Sequence, residues 1–360
     1  MNETDELAEV RALFDEPPAA SPQVVTAARA RLTEDGAPRR RGARRRAPRF
    51  VAAGFGLAAA ATAAAITVVV AGQGDANDPN GRRSAHALLL MAAQQAESAP
   101  PGGGKYWHHT MRTDELVQVG KPGHAAYQVY ARWRHEVWMP SDGSGPALGK
   151  SQELGAVPAT EADRNAWRKE GSPATFRGTE GGSAISSKPG KPGVDRTKPA
   201  DYEQLFGQSL TPQDVQALPT DPGRLKSALL RLIQRQSPED GDEQLFDWGS
   251  SVLLHYPASP KVRAATYRML ADLPGVRKLG TVKDREGRTG TAVGIDIGKD
   301  DQGSTFGDRL IIDPASGRAL TSETVMTGKG ERAPSTAGVK QVNLSNATLR
   351  SDWTDKAPSR

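Results

Sequence analysis

The longest apolar stretch of the chain is Phe50–Gly72, a run of 23 residues without a charge. As a helix rising 1.5 Å per residue it would measure about 34 Å, enough to cross a hydrocarbon core of about 30 Å. The alternative is a buried helix of a soluble domain. Such a helix usually carries a polar face, and here only Thr62 and Thr67 interrupt the run. The pattern therefore predicts a transmembrane helix over residues 50–72.

Charge on the two flanks of this run predicts its orientation. Seven arginines precede it directly: Arg39, Arg40, Arg41, Arg44, Arg45, Arg46 and Arg49. Positive residues stay on the cytoplasmic side, which puts residues 1–49 in the cytoplasm and the chain after residue 72 outside. A cleaved signal peptide fits less well, because its basic segment would be about 49 residues long and no A-x-A site follows. We expect an uncleaved, single-pass protein of the cell membrane.

The chain beyond the apolar run alternates between helical and strand-like patterns. Residues 73–84 are polar and predict a linker, and Ser84 can cap a helix that runs to about Glu97. Lys105–Val119 is rich in strand formers. Ala125–Trp138 alternates between apolar and polar residues, as expected of a half-buried antiparallel strand.

Three amphipathic helices and a strand meander complete the pattern. The helices are predicted after Asp221-Pro222, over Asp242–Leu254, and from Ser259-Pro260 to Leu273. The strands are predicted at Val276–Lys283, Thr289–Gly298, Thr305–Ile312, Leu320–Gly328 and Gly338–Thr348, with tight turns at 284–287 and 313–317. This order indicates an α+β domain over residues 85–350, with a curved antiparallel sheet packed on helices.

Two segments of this domain are predicted to lack regular order. Residues 140–200 are rich in Pro, Gly, Ser and Lys and predict a flexible loop, in which Trp167 and Phe176 would mark short strands. Residues 351–360 are predicted to form a C-terminal tail.

Composition narrows the function classes. The net charge is +5 and the mean hydropathy is −0.56. The seven arginines before the apolar run exceed this net charge, so the basicity is local and argues against a nucleic-acid-binding surface on the main domain. The chain has no cysteine, which excludes disulfides, thiolate catalysis and cysteine-ligated zinc.

The sequence shows no motif that points to catalysis, a metal or a cofactor. Four histidines lie near the first two strands: His108, His109, His124 and His135. Because His108 and His109 are adjacent, they would face opposite sides of a strand and could not ligate one metal together. The string Asp142–Gly145 runs into a loop rather than a helix, unlike a nucleophile elbow. We therefore predict a non-enzymatic protein without a metal or cofactor.

Aromatic residues cluster on the first two strands and offer two interpretations. Trp107, Tyr127 and Trp133 could form an ordinary sheet core, since aromatic residues are common in strands. They could instead line an apolar groove between sheet and helices that holds a lipid, a peptide or an acyl chain. This groove is the binding hypothesis that the composition offers, and the predicted span makes the lipid bilayer the other expected partner.

The first 49 residues have their own alternatives. Residues 1–35 carry eight acids and three arginines, and two short amphipathic helices are predicted there. These helices could dock on a cytoplasmic regulator. The tail could also serve only to fix topology, with its arginines on anionic headgroups.

Three strings of the outer domain carry a resemblance. They are LPTDPGRL (218–225), SPKVRAATYRMLADLPGVRKLGTVKDREGRTGTAVGI (259–295) and LIIDPASGRAL (310–320). With the layout of tail, arginine run and span, they resemble an uncharacterised family of actinobacterial single-pass membrane proteins. By its order of elements, the outer domain also resembles lipoprotein-carrier and sigma-regulator sensor domains.

The resemblance implies an envelope sensor or binding module, potentially one that works with a sigma factor. The alternatives are an exported enzyme of unknown class and an anti-sigma-like regulator that acts through residues 1–49. A tail of 49 residues is short for a domain that wraps a sigma factor, which weighs against direct sequestration.

Overall fold

The computed structural model describes residues 79–121, 124–179, 184–198, 204–205, 208–209, 211–236, 241–300, 303–327 and 340–356. The tail of residues 1–49, predicted to be cytoplasmic, and the span predicted over residues 50–72 lie outside these residues. None of the helices within the described ranges combines the length and the apolar character that crossing a bilayer requires.

The described residues form an α+β domain with a large antiparallel sheet. The helices are α1 (Pro79–Glu97), α2 (Glu161–Lys169), α3 (Pro212–Gln216), α4 (Pro222–Gln236), α5 (Asp242–His255) and α6 (Pro260–Ala271). The strands before the helical segment are β1 (Tyr106–Lys121), β2 (His124–Pro140), β3 (Ala147–Glu153), β4 (Val157–Pro158), β5 (Thr175–Phe176), β6 (Ile185–Ser186), β7 (Gly193–Thr197), β8 (Gln204–Leu205) and β9 (Gln208–Ser209). The strands after it are β10 (Arg277–Lys283), β11 (Thr289–Lys299), β12 (Thr305–Ile312), β13 (Ala319–Thr327) and β14 (Lys340–Thr354).

The main sheet has ten strands in the order β10-β11-β12-β13-β14-β1-β2-β3-β7, with β4 paired on β2. Its centre is the pairing of β1 with β14 on one side and β2 on the other. Trp107, for example, lies between Trp353 of β14 and Met139 of β2. Within the described residues, the last strand thus pairs with the first.

Four helices pack as a layer on the β10–β14 half of the sheet. Helix α5 contacts β11 to β14 directly, while α6 contacts α1, α4 and α5, and α1 also contacts β10. Leu225, Leu229, Leu245 and Leu253 are almost completely buried between these elements. Burial of such side chains from amphipathic helices is the main stabilising term of the layer.

Local capping explains where the helices begin. Ser259 accepts a hydrogen bond from the Val262 amide (3.3 Å), and Pro260 follows it at the first helical position of α6. At α4 the Asp221 carboxylate accepts from the Arg224 amide at 2.8 Å. Both caps stand where the sequence predicts them.

The region 140–200 differs from the predicted flexible loop. It contains β3 and β7, which extend the sheet beyond β2, and helix α2. Thr160 and Asp163 form a capping box at the start of α2, and the buried Asp163 carboxylate also accepts from the Gln128 amide of β2 at 2.9 Å. This tertiary contact orders a segment whose composition is typical of loops.

Three further boundaries differ from the prediction. Trp167 lies in α2 rather than in a strand, and its indole donates to the Pro173 carbonyl. Helix α1 begins at Pro79, inside the predicted linker, because proline fits the first turn of a helix. Strand β14 continues to Thr354 in the predicted tail, because residues 350–354 pair with β1.

The tight turn between β10 and β11 ties distant strands together. Asp284 is buried and accepts from the amides of Glu286 and Arg288, while Arg288 donates to carbonyls of Leu320 and Thr348. The turn also contacts β1 through Arg285, whose Nε lies 2.5 Å from the Asp114 carboxylate. The turn therefore links β1, β13 and β14.

Candidate functional site

The C-terminal end of α5 meets the centre of the sheet at a pair of histidines. His109 projects from β1 and His255 is the last residue of α5, with ring centroids 5.3 Å apart at an interplanar angle of 75°. The Thr348 hydroxyl of β14 donates to the Leu254 carbonyl at 3.0 Å and holds the helix end against the sheet. The fold thus brings together two imidazole rings that lie far apart in the sequence.

Four buried polar atoms on this side of the sheet have no hydrogen-bond partner among the residues that the structure describes. They are Nε2 of His109, Nδ1 of His255, Oγ of Ser351 and Nε1 of Trp107. Ser351 is the cross-strand partner of His109, and Trp107 lies two residues earlier on the same face of β1. We call these four residues the histidine site.

Buried polar groups in folded proteins are normally hydrogen-bonded, and a group that is not costs about 1–3 kcal/mol. An occupant that supplies both donors and acceptors would satisfy the four atoms on this face. Ordered water can do so, and so can the polar group of a ligand. The indole N–H of Trp107 can only donate, whereas the serine hydroxyl can donate and accept.

Burial keeps the histidines of this site uncharged at neutral pH. It lowers the pKa of His255 to about 4. Burial also lowers the pKa of His109 well below its ordinary value, with smaller effects from His255 and His108 in the same direction and an opposing one from the Leu254 carbonyl. Half-buried His135, on β2, has its pKa lowered by burial as well. The site therefore suits an uncharged polar group better than an anion.

An apolar wall borders the site. Trp107 is 4% exposed and packs edge to face on Trp353 of β14, with ring centroids 5.4 Å apart. The combination of tryptophan rings with a few polar atoms is common in ligand sites of proteins.

The three aromatic residues predicted to line a groove occupy different places. Trp107 belongs to the histidine site. Tyr127 is buried in a separate cluster under α2 with Val129 and Phe176. The strand partner of Trp107 on β2 is Met139. At about 3.3 Å per residue, Tyr127 lies roughly 40 Å from Met139 along β2, and therefore far from Trp107.

Trp133 lies between these two positions on β2 and is half-buried. The structure thus does not bring the three side chains together. A ligand groove beside Trp107 or Trp133 stays a prediction.

The neighbouring His108 faces the other side of the sheet, as expected of adjacent strand residues. Its ring stacks on Trp138 at 4.2 Å, and its Nε2 lies 2.8 Å from the Glu136 carboxylate. Burial lowers the pKa of His108, and the hydrogen bond to Glu136 opposes this effect. The side chain of His124 lies outside the described residues. Among the residues described, no group of three or more His, Asp or Glu is arranged to hold a metal ion.

A buried ionic network lies on the same face of β1 as His108. Asp114 is 1% exposed and pairs with Arg112 and Arg285, and the Arg285 guanidinium also lies 3.4 Å from the centre of the Tyr130 ring. These charges are matched within the fold, which is typical of a structural clamp rather than of a site for a ligand.

Farther along the same face, Arg309 and Glu323 form a fully buried pair, with 2.7 Å between Arg309 Nε and Glu323 Oε2. Sequence patterns for β12 and β13 predict apolar residues inside a sheet. They therefore give no indication of this pair.

Two carboxylates come close where α5 crosses β12. Part of the Asp247 side chain is exposed to solvent. The surrounding protein nevertheless removes water from around its carboxylate, and this desolvation raises the pKa of Asp247 to about 7. The nearby Asp308 carboxylate adds a smaller effect in the same direction. Burial also raises the pKa of Asp308, while a hydrogen bond from the Thr324 hydroxyl (2.7 Å) lowers it. A carboxyl group with a pKa near 7 can act as an acid or a base. If the protein were an enzyme, as the alternative hypothesis has it, Asp247 and Asp308 would be the candidate acid–base residues.

No protein-family model matches the sequence, and a search of curated proteins finds no match either. The function is therefore argued from the histidine site and from the placement of the domain along the chain.

Proposed function

We propose that this protein is a membrane-anchored binding module that carries its α+β domain outside the cytoplasm and holds an uncharged lipid at the histidine site. The observation that supports the ligand is the group of four buried polar atoms without partners, beside the rings of Trp107 and Trp353. The anchor rests on the apolar run 50–72 and the arginines before it.

The chemistry of the site favours a ligand that is part polar and part apolar. Neutral imidazoles give no favourable charge to an anionic headgroup, but they can exchange hydrogen bonds with a hydroxyl or an ester carbonyl. The tryptophan rings offer apolar surface to an acyl chain. A diacylglycerol combines these features in one molecule.

A curved sheet fits this role. The β10–β11 turn reaches Asp114 on β1 although β12, β13 and β14 lie between them in the sheet order. With neighbouring strands about 4.8 Å apart, a flat sheet would not allow the contact. A sheet that curls in this way would offer a concave face, which supports the proposed binding role.

Binding can be tested with the full-length chain in detergent micelles and a short-chain diacylglycerol as the probe. We expect the probe to raise the unfolding temperature, since a ligand at a hundredfold excess over its Kd adds about 2.7 kcal/mol of stability. His109→Leu should abolish the shift. Trp107→Phe, which keeps an aromatic ring but removes the indole N–H and the pyrrole portion of the ring, should weaken it.

The matched control is His108→Gln, on the opposite face of the sheet, which keeps a hydrogen-bond donor for Glu136 and should leave the shift unchanged. If the wild-type chain gives no shift, or if His109→Leu gives the same shift as wild type, the lipid hypothesis is wrong. A shift produced by hydrophobic peptides instead of the diacylglycerol would favour the peptide alternative.

Topology can be tested separately because the chain has no cysteine of its own. Lys169→Cys, at an exposed position of α2, should react with a membrane-impermeant maleimide in intact cells. Ala20→Cys, in the N-terminal tail, should react only after lysis. The reverse pattern, or recovery of the chain without detergent, would contradict the anchored topology.

A further inference from the structure

Helix α1 has an apolar face that the domain does not cover. Among the described residues, four large apolar side chains are exposed, and two of them are neighbours on α1: Leu90 (40% exposed) and Met91 (55%). Exposed Ala87 lies one turn before them on the same face, and exposed Arg83 lies one turn before Ala87. The opposite face of α1 is buried through Ala85, Leu89, Ala92 and Ala93.

Contacts fix α1 firmly to the domain, so this face has a defined direction. Glu97 pairs with Arg268 of α6, and His86 lies 3.6 Å from Asp272 just after α6. On the other side, the backbone at Gly317 approaches α1 so closely that a Cβ there would lie 3.1 Å from Cα of Ala92. The helix is therefore part of the folded domain rather than an extension of the linker.

The position of α1 in the sequence places it near the bilayer. Only residues 73–78 separate the predicted span from Pro79, and six residues reach at most roughly 20 Å when extended. Exposed Arg82 and Arg83 lie at the end of α1 that follows this connection. Basic residues at this position attract anionic headgroups, and an apolar stripe beside them is typical of helices that lie in the membrane interface.

We propose that the exposed face of α1, formed by Arg83, Ala87, Leu90 and Met91, lies in the headgroup region of the bilayer and holds the domain against the membrane. This inference rests on the membrane anchorage proposed above and adds an orientation to it. The long apolar side chains enter the interface while the arginine side chains reach phosphate groups.

The test uses the full-length chain in nanodiscs that contain phosphatidylglycerol. An environment-sensitive NBD label is attached to one introduced cysteine at a time: Met91→Cys, Leu90→Cys, the exposed control Lys169→Cys, and Ala60→Cys inside the predicted span. We expect blue-shifted emission at positions 90 and 91, and collisional quenching by aqueous iodide at least roughly fivefold slower than at position 169. Circular dichroism confirms that each labelled chain is folded.

The outcomes separate this inference from the anchorage beneath it. Quenching at 90 and 91 as fast as at 169, with position 60 still shielded, overturns the proposed orientation and leaves the anchor intact. Free quenching at position 60 means that the anchorage itself is wrong. Shielding at 91 that occurs only when a nanodisc holds two copies identifies the face as a contact between copies, which also overturns the proposal.

Discussion

Replacing His255 should make the domain more resistant to acid. In the unfolded chain this histidine titrates near its ordinary pKa of about 6.5, whereas burial in the fold lowers the pKa to about 4. Between these values the unfolded chain binds a proton that the folded chain does not bind. Lowering the pH through this window therefore favours unfolding.

The size of the effect follows from the two pKa values. At 1.36 kcal/mol for each tenfold change, the difference corresponds to about 2–3 kcal/mol, where the lower figure allows for the part of His255 that solvent reaches. The stability linked to His255 is complete above pH 6.5, falls as the pH drops, and reaches its minimum near pH 4. A His255→Phe variant lacks this loss. The free energy of unfolding of the variant minus that of wild type should therefore increase by about 2–3 kcal/mol when the pH is lowered from 7.5 to 4.

The assay is urea unfolding of both chains at a series of pH values, followed by tryptophan fluorescence, to which Trp107 and Trp353 beside the site contribute. Only the difference between the two chains is interpreted, since other buried groups titrate in both. Among these, Glu323 has its pKa raised by burial and so acts in the opposite direction. Replacement of the exposed His86 by Gln serves as a control. If wild type and His255→Phe lose stability in parallel from pH 6.5 to 4, the assignment of a buried, neutral His255 is refuted.

Two further substitutions test how the fold is held together. Asp114→Asn should destabilise the domain by about 3 kcal/mol in urea unfolding at pH 7, because it removes the buried carboxylate that Arg285 pairs with and leaves Arg112 with Glu286 alone; an effect below about 1 kcal/mol would mean that solvent reaches these charges. Gly317→Ala should cost more than Gly303→Ala, by about 1 kcal/mol or more in the same assay. Both glycines have a positive φ (66° and 78°), but a Cβ at position 317 would crowd α1, whereas at position 303 it meets no atom of the described residues within 4 Å; equal costs would contradict the close packing of α1 described above.

The sequence predicts the elements of the sheet and helices well because their signals are local. These signals are the alternation in β2, the aspartate and proline at the start of α4, and the serine and proline at the start of α6, and each acts within a few residues. The order within residues 140–200 depends instead on contacts with β2, such as that of Asp163 with the Gln128 amide, which no local pattern reveals.

The histidine site could be predicted only in part. Strand alternation separates His108 from His109 and places Trp107 on the same face as His109. Nothing in the sequence brings His255 to them, because it lies at the end of a helix about 146 positions later, and the contact exists only once α5 has packed on β1 and β14. For the same reason the pairs formed by Asp114 and Arg309 with distant partners were not expected from composition.

The pairing of β14 with β1 has a consequence for how this protein is made. Strand β1 needs residues 344–354 as its second neighbour, and the ribosome adds these roughly 220 residues after the end of β1. Until then a strand of 16 residues offers free amide and carbonyl groups along one side. Synthesis of the chain therefore passes through a stage in which this edge can associate with other chains, and a factor that shields unpaired strands would raise the yield of the correctly folded protein.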